Sequence, residues 1–296
     1  MSASFSDRLC HAIEETGTSL CVGIDPHLDR LPTPLTKGLE GLEGAEWRVA
    51  AAEACLRFSE HVVEACAGLV PAVKPQAAFF EALGAPGWAA LEATHTLCRD
   101  AGLLTIVDAK RGDIGSTAAA YAQSLIAADG PLNADCATVS PYLGAEGLEP
   151  FVEVCERDQK GLFVLVRTSN PGAEALQHVG TPNVAQRVGA WLESRGEALR
   201  GDHGLTSLGA VIGGTLPQEE LRELRERFPS LWFLVPGFGA QGASADDIRA
   251  CFRSDGRGAL IVSARGVLYP SQTDPEFDRD PTGSIKRRVL NVRKHL

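Results

Sequence analysis

Long apolar runs are missing from this chain of 296 residues: nowhere do 18 or more consecutive hydrophobic residues occur, so no segment reads as a membrane span. Basic charge is scarce as well. The 28 Lys and Arg are outnumbered by 38 Asp and Glu, and a formal charge of −10 argues against a general nucleic-acid binder, because phosphate-backbone affinity is carried by basic surfaces. A local basic pocket for a small phosphorylated ligand stays open. No C-x-x-C pair occurs among the eight cysteines (Cys10, Cys21, Cys55, Cys66, Cys98, Cys136, Cys155 and Cys251), which are scattered through apolar or helical stretches. They read as buried reduced thiols, not disulfides or a metal site, and so point to a cytoplasmic protein. Asp7, Arg8, Glu14 and Glu15 break up the first twenty residues, and no signal peptide is expected there. Neither an internal repeat nor a dividing linker is visible, so 1–296 is expected to be a single domain.

What is present is a set of eight short runs rich in Val, Ile and Leu, at 19–25, 69–75, 103–110, 136–142, 161–169, 209–215, 231–239 and 259–266. Between them lie stretches with apolar residues at three- and four-residue spacing, among them 45–68, 116–129, 184–200, 218–228 and 244–254, as amphipathic helices require. Near-continuous apolar strands alternating with helices indicate parallel pairing with both strand faces covered. The expected fold is an α/β (β/α)8 TIM barrel, preceded by a helix over about Phe5–Thr16 and carrying an elaborated Pro/Gly-rich loop at 30–46. An open doubly wound sheet is the alternative. Its dinucleotide-binding version is weakened because no G-x-G-x-x-G follows the first strand.

In a barrel the carboxyl ends of the strands form the active face, so the ends of the eight runs are the candidates. They supply Asp25, Lys74, Asp108 with Lys110, Ser140 with Tyr142, Thr168 with Ser169, Thr215, the segment 237–242, and Arg265. Strand alternation puts Asp108 and Lys110 on one face, with Asp113 beyond in a turn. Taken singly, Asp25 before Pro26 would also serve as a turn opener, Lys74 as a snorkelling lysine, and Asp113 as a helix cap. Independent turn chemistry gives no reason for Asp, Lys, Asp and Lys to end three successive strands. The Gly-rich 236–244 segment and Arg265 follow strands seven and eight, where barrels hold phosphate on backbone N–H groups. Arg265 would add a forked, permanently charged partner.

These residues resemble the orotidine 5′-phosphate decarboxylase family, in its longer bacterial branch. The resemblance rests on D-x-K-x-x-D with a Thr four residues on (Asp108, Lys110, Asp113 and Thr117), with Asp25 and Lys74 ending strands one and two. Further along, Ser169 to Ala173 match S-x-P-G-A, Pro236 to Gly242 match P-G-x-G-A-Q-G, and Arg265 closes strand eight, after Ala264 where the family often has Gly. It implies a metal- and cofactor-free decarboxylation of orotidine 5′-monophosphate to UMP and CO2. Lys110 would stabilise and protonate the carbanion at C6, inside an alternating Lys74–Asp108–Lys110–Asp113 array. Asp25 and Lys74 would bind the ribose hydroxyls, Ser169 the pyrimidine, and Gln241 with Arg265 the phosphate. The Asp113 and Thr117 counterparts reach into a neighbouring subunit's site, implying a homodimer with composite sites and no nucleic-acid or membrane partner. The nearest rival is a metal-dependent sugar-phosphate decarboxylase or aldolase of the same fold, which would need an acidic residue where Lys74 stands. A Schiff-base aldolase and a non-catalytic nucleotide-binding module are the others. Arg111 receives no role, and the basic segment 284–296 reads as a surface helix.

Overall fold

The computed structural model describes residues 3–237, 245–271 and 274–296. Every apolar run contains a strand: β1 Leu20–Ile24, β2 Ala72–Pro75, β3 Leu104–Arg111, β4 Cys136–Val139, β5 Gly161–Arg167, β6 Leu208–Ile212, β7 Trp232–Pro236 and β8 Ala259–Ser263. Each pairs in parallel with the next, and β8 returns to β1 with Ile261 opposite Leu20, closing the barrel without an edge. Closure covers both faces of each strand, which is why the runs are continuously apolar. Cys21, Ala72, Ile106, Cys136, Phe163 and Leu260 pack in the interior. Their chain neighbours Val107, Ala137, Leu162, Val164, Ala259 and Ile261 belong to the cluster that also takes in the surrounding helices.

The helix Phe5–Thr16 forms where the sequence predicts it. The Ser4 hydroxyl accepts from the Asp7 N–H at its start, and Gly17 at φ +66° ends it. This helix plugs the amino-terminal end of the barrel. Phe5 meets Phe163 edge-on at 6.4 Å, and the Trp232 indole donates to Ser6 Oγ at 2.9 Å. Gly161 is required here, because a Cβ on it would lie 2.2 Å from the Phe5 ring. The opposite end is left for a site.

Several expectations change in detail. The loop expected at 30–46 is partly ordered into a 3-10 turn Leu28–Arg30 and a helical turn Thr33–Thr36, and the long helix Gly44–Cys66 begins within it. Thr33 anchors the segment to Asp278 through its N–H at 2.8 Å and its hydroxyl at 3.0 Å. The C-terminal helix Pro281–Arg293 is more than a surface feature, because Ile285 and Val289 are fully buried and Arg288 donates to the carbonyls of Val267 and Leu268. Helices Ala85–Asp100 and Glu149–Asp158 fill the crossovers after β2 and β4. All eight cysteines are free and buried, and burial pushes the thiols of Cys21, Cys55, Cys98 and Cys251 up to about 12. Among the described residues no helix is long and apolar enough to cross a membrane.

Candidate active site

Parallel strands deliver their final residues to one end, and there the ionisable groups of β1, β2, β3 and β8 converge. They line a cavity of about 260 Å³ whose charged side is Asp25, Lys74, Asp108, Lys110 and Arg265. Its apolar side is Leu165, Val211, Leu234 and Val262, the upper layer of the barrel interior. A larger groove of about 630 Å³ lies outside the barrel beside the helix Gln218–Arg227. Its Arg167 is already bound to Glu220 at 2.6 Å, and we place the chemistry in the mouth because the strand ends meet there.

Asp108 is the hub of the mouth. Lys74 Nζ donates to its Oδ2 and Lys110 Nζ to its Oδ1, each at 2.5 Å. Gln76 Nε2 adds a bond to Oδ2 at 3.0 Å and the Thr138 hydroxyl one to Oδ1 at 2.9 Å. Burial alone would raise the Asp108 carboxyl, but the two ammoniums outweigh it and hold the group below the usual carboxylate range. Lys74 is the mirror case. Burial works against its charge, and the carboxylates of Asp108 and Asp25 overcome that and keep it above the ordinary lysine range. Asp25 is different again: burial raises its carboxyl with Lys74 opposing, and its Oδ1 is buried without a hydrogen bond among the described residues. Such an acceptor is suited to a hydroxyl donor from a ligand.

Asp108 and Lys110 share a face as expected, but not through an unbroken pleat. β3 and β4 are in register at Val107 opposite Ala137 and again at Arg111 opposite Val139, so four steps on β3 match two on β4. Lys110 sits in this bulge at φ +48°, and its N–H donates to Thr138 Oγ1 at 3.0 Å. In this chain the array runs Lys74–Asp108–Lys110, and Asp113 lies beyond β3, where its Oδ1 accepts from the Ile114 N–H at 2.8 Å. Thr117 is exposed on the helix Gly115–Leu125.

Ser169 is exposed and backs onto Gly213, where a Cβ would lie 2.8 Å from it; Thr168 lines the cavity beside it. Tyr142 and Thr215 are exposed and do not line the cavity. Gln241 and most of the 236–244 segment lie outside the described residues. Gln76 and Thr138 were missed, although Gln76 follows Lys74 at strand spacing and Thr138 lies in the β4 run. Ala264 lies against Gly23 of β1, where a Cβ would come 2.6 Å from the Ala264 methyl and 3.3 Å from Asp25 Oδ1. Among the described residues no three His, Cys, Asp or Glu side chains gather as a metal site would need.

Residues 18–276 match the family model described as Orotidine 5'-phosphate decarboxylase / HUMPS family. A protein named orotidine 5′-phosphate decarboxylase from Rhodopirellula baltica is 46% identical over 276 residues, 90% of this chain and 88% of that one. One of the same name from Streptomyces coelicolor is 44% identical over 266 residues, 89% of each. The solved structure of Leishmania donovani OMP decarboxylase is similar at a TM-score of 0.74 and 33% identity, covering 99% of this chain and 98% of that one.

Proposed function

Since the chain belongs to the orotidine 5′-phosphate decarboxylase family and is a carboxy-lyase that converts orotidine 5′-monophosphate to UMP and CO2 in pyrimidine biosynthesis, we propose that Lys110 is the group that meets the reacting carbon. Loss of CO2 from C6 leaves an electron pair in an sp2 orbital that the ring does not delocalise. A cation must stand beside it and supply a proton. Lys110 fits because Asp108 holds its ammonium at 2.5 Å in the cavity mouth, and this contact is the observation that carries the reading. Asp108, bound also by Lys74 and Gln76, is fixed before substrate arrives. A substrate carboxylate at C6 would lie close to it, and departure of CO2 relieves that repulsion.

One ion pair at roughly 4 Å is worth about 4 kcal/mol at an effective dielectric near 20. Very slow uncatalysed reactions demand on the order of 20 kcal/mol, so most of the barrier must be lowered by preorganisation and by binding remote parts of the nucleotide. The Asp25 carboxylate and Lys74 are suited to the ribose hydroxyls, Thr168 and Ser169 to the pyrimidine edge, and Arg265 with Gln241 to the phosphate. Asp113 and Thr117 complete the site of a second copy in a homodimer. That assignment is supported by exposed apolar residues next to them, Ile114 at 47%, Tyr142 at 75% and Leu143 at 47%.

The test is the loss of orotidylate absorbance with EDTA present, for wild type and Lys110→Ala. Turnover that survives EDTA and disappears in Lys110→Ala is expected; turnover abolished by EDTA would favour a metal-dependent enzyme, and borohydride trapping a Schiff base. Mixing inactive Lys110→Ala and Asp113→Ala proteins should restore part of the activity through hybrid dimers. No recovery despite subunit exchange would remove the composite site.

A further inference from the structure

The segment Asp108 to Asp113 holds one charge that the reaction leaves unused, Arg111. We infer that Arg111, with Glu81, is a positioning residue for the Lys110 ammonium, an inference that rests on the assignment of Lys110 above. The guanidinium of Arg111 lies among the helices around β3. Its Nη2 donates to Glu81 Oε1 on the helix Ala77–Glu81, and its Nη1 donates to the Ala109 carbonyl at 3.2 Å. Its carbon lies 5.5 Å from the ring centre of Tyr121 on the helix Gly115–Leu125. The backbone of the same residue is bound as well, its carbonyl accepting from the Ser140 N–H at 2.7 Å.

Lys110 needs such bracing. At φ +48° it occupies a region that residues with side chains rarely adopt, and such a conformation persists only where its surroundings over-determine it. Its side chain is 45% exposed, so packing does little to fix it and the backbone must aim it. On one side, the Lys110 N–H is tied to Thr138 Oγ1, the hydroxyl that also binds Asp108. On the other side, the Arg111 fork ties the bulge to two helices. Arg111 and Glu81 are 23% and 31% exposed, so the pair is partly withdrawn from solvent. An extended Lys110 would carry its ammonium away from Asp108 while leaving the ribose- and phosphate-facing residues in place.

The experiment measures kcat and KM for orotidylate, UMP affinity and thermal unfolding in Arg111→Gln, Glu81→Gln and the double variant. Each single change should lower kcat on the order of tenfold with KM and UMP affinity within about twofold, because it displaces the reacting group without touching the nucleotide. The double variant should be no slower than the slower single one, since the two residues act as a unit. Arg111→Glu combined with Glu81→Arg should recover kcat over Arg111→Glu alone. Unchanged kcat in the folded single variants, or losses that multiply in the double, overturns the inference. If Arg111→Gln does not fold, Glu81→Gln, which leaves the Arg111 bond to Ala109, decides alone: unchanged kcat there overturns the inference. Lys110→Ala separates the levels: turnover retained there removes the assignment of Lys110 itself, whereas turnover lost there with kcat unchanged in Arg111→Gln removes only the positioning role.

Discussion

Asp108→Asn keeps the shape of the side chain and removes the negative charge between two ammoniums. Lys74 and Asp108 are each 7% exposed at the side chain, while Lys110 is 45% exposed. The Lys110 contact is therefore largely screened and contributes little to stability, and the cost falls on Lys74. Removing one partner of a buried pair costs about 3–5 kcal/mol, because the other charge stays buried without compensation. Asp25 still faces Lys74, so the lower end, about 3 kcal/mol, is expected. For a chain of 296 residues, at ~2.1 cal/mol/K of unfolding entropy per residue, that lowers Tm by roughly 5 °C. The pH dependence supplies a second check. In the wild type the raised Lys74 contributes stability that is complete below its unfolded value of about 10.4 and is lost only as pH rises through its folded value. The depressed Asp108 contributes stability above about pH 4 that is lost on acidification. In the variant, burial dominates Lys74 and lowers its folded value, so the unfolded chain binds the extra proton and stability climbs with pH. The gap between the two proteins should then narrow between about pH 7 and 10. Urea unfolding at both pH values measures it. A variant with the wild-type midpoint at pH 7, or a gap that stays constant to pH 10, would refute the reasoning.

Gly23→Ala would place a methyl 2.6 Å from Ala264, between the residues before Asp25 and Arg265, and should cost about 1–3 kcal/mol while raising KM. Gly23→Ala combined with Ala264→Gly should regain both, and a neutral single variant would show that the two ends are not in contact. His95 is fully buried with neither ring nitrogen hydrogen-bonded among the described residues, and burial lowers it to about 3. Between about pH 6.5 and 3 the unfolded chain binds one more proton than the folded one, so stability should fall by up to about 1.4 kcal/mol per pH unit in that window. His95→Leu should flatten this part of the stability profile measured by urea unfolding; an unchanged slope would assign it to other groups.

Eight apolar runs, the helical spacing between them and the charges at their ends are local patterns, and they were enough to place the barrel, its mouth, and Asp25, Lys74, Asp108, Lys110 and Arg265 around one cavity. Strand period and burial are written residue by residue, which is why these features are legible in one dimension. The bulge that turns Lys110 to φ +48° is not, because it depends on how β3 pairs with β4, a strand about thirty residues further on. The same pairing brings Thr138 to Asp108. Arg111 looks like a stray charge until the helix bearing Glu81 packs beside it, and the basic C-terminal segment looks superficial until Ile285 and Val289 are buried against the barrel's helices. Sequence alone determined which residue types stand at the strand ends. Closure of the barrel decided their partners, because hydrogen bonds and desolvation act between groups that only the folded chain brings within 3 Å.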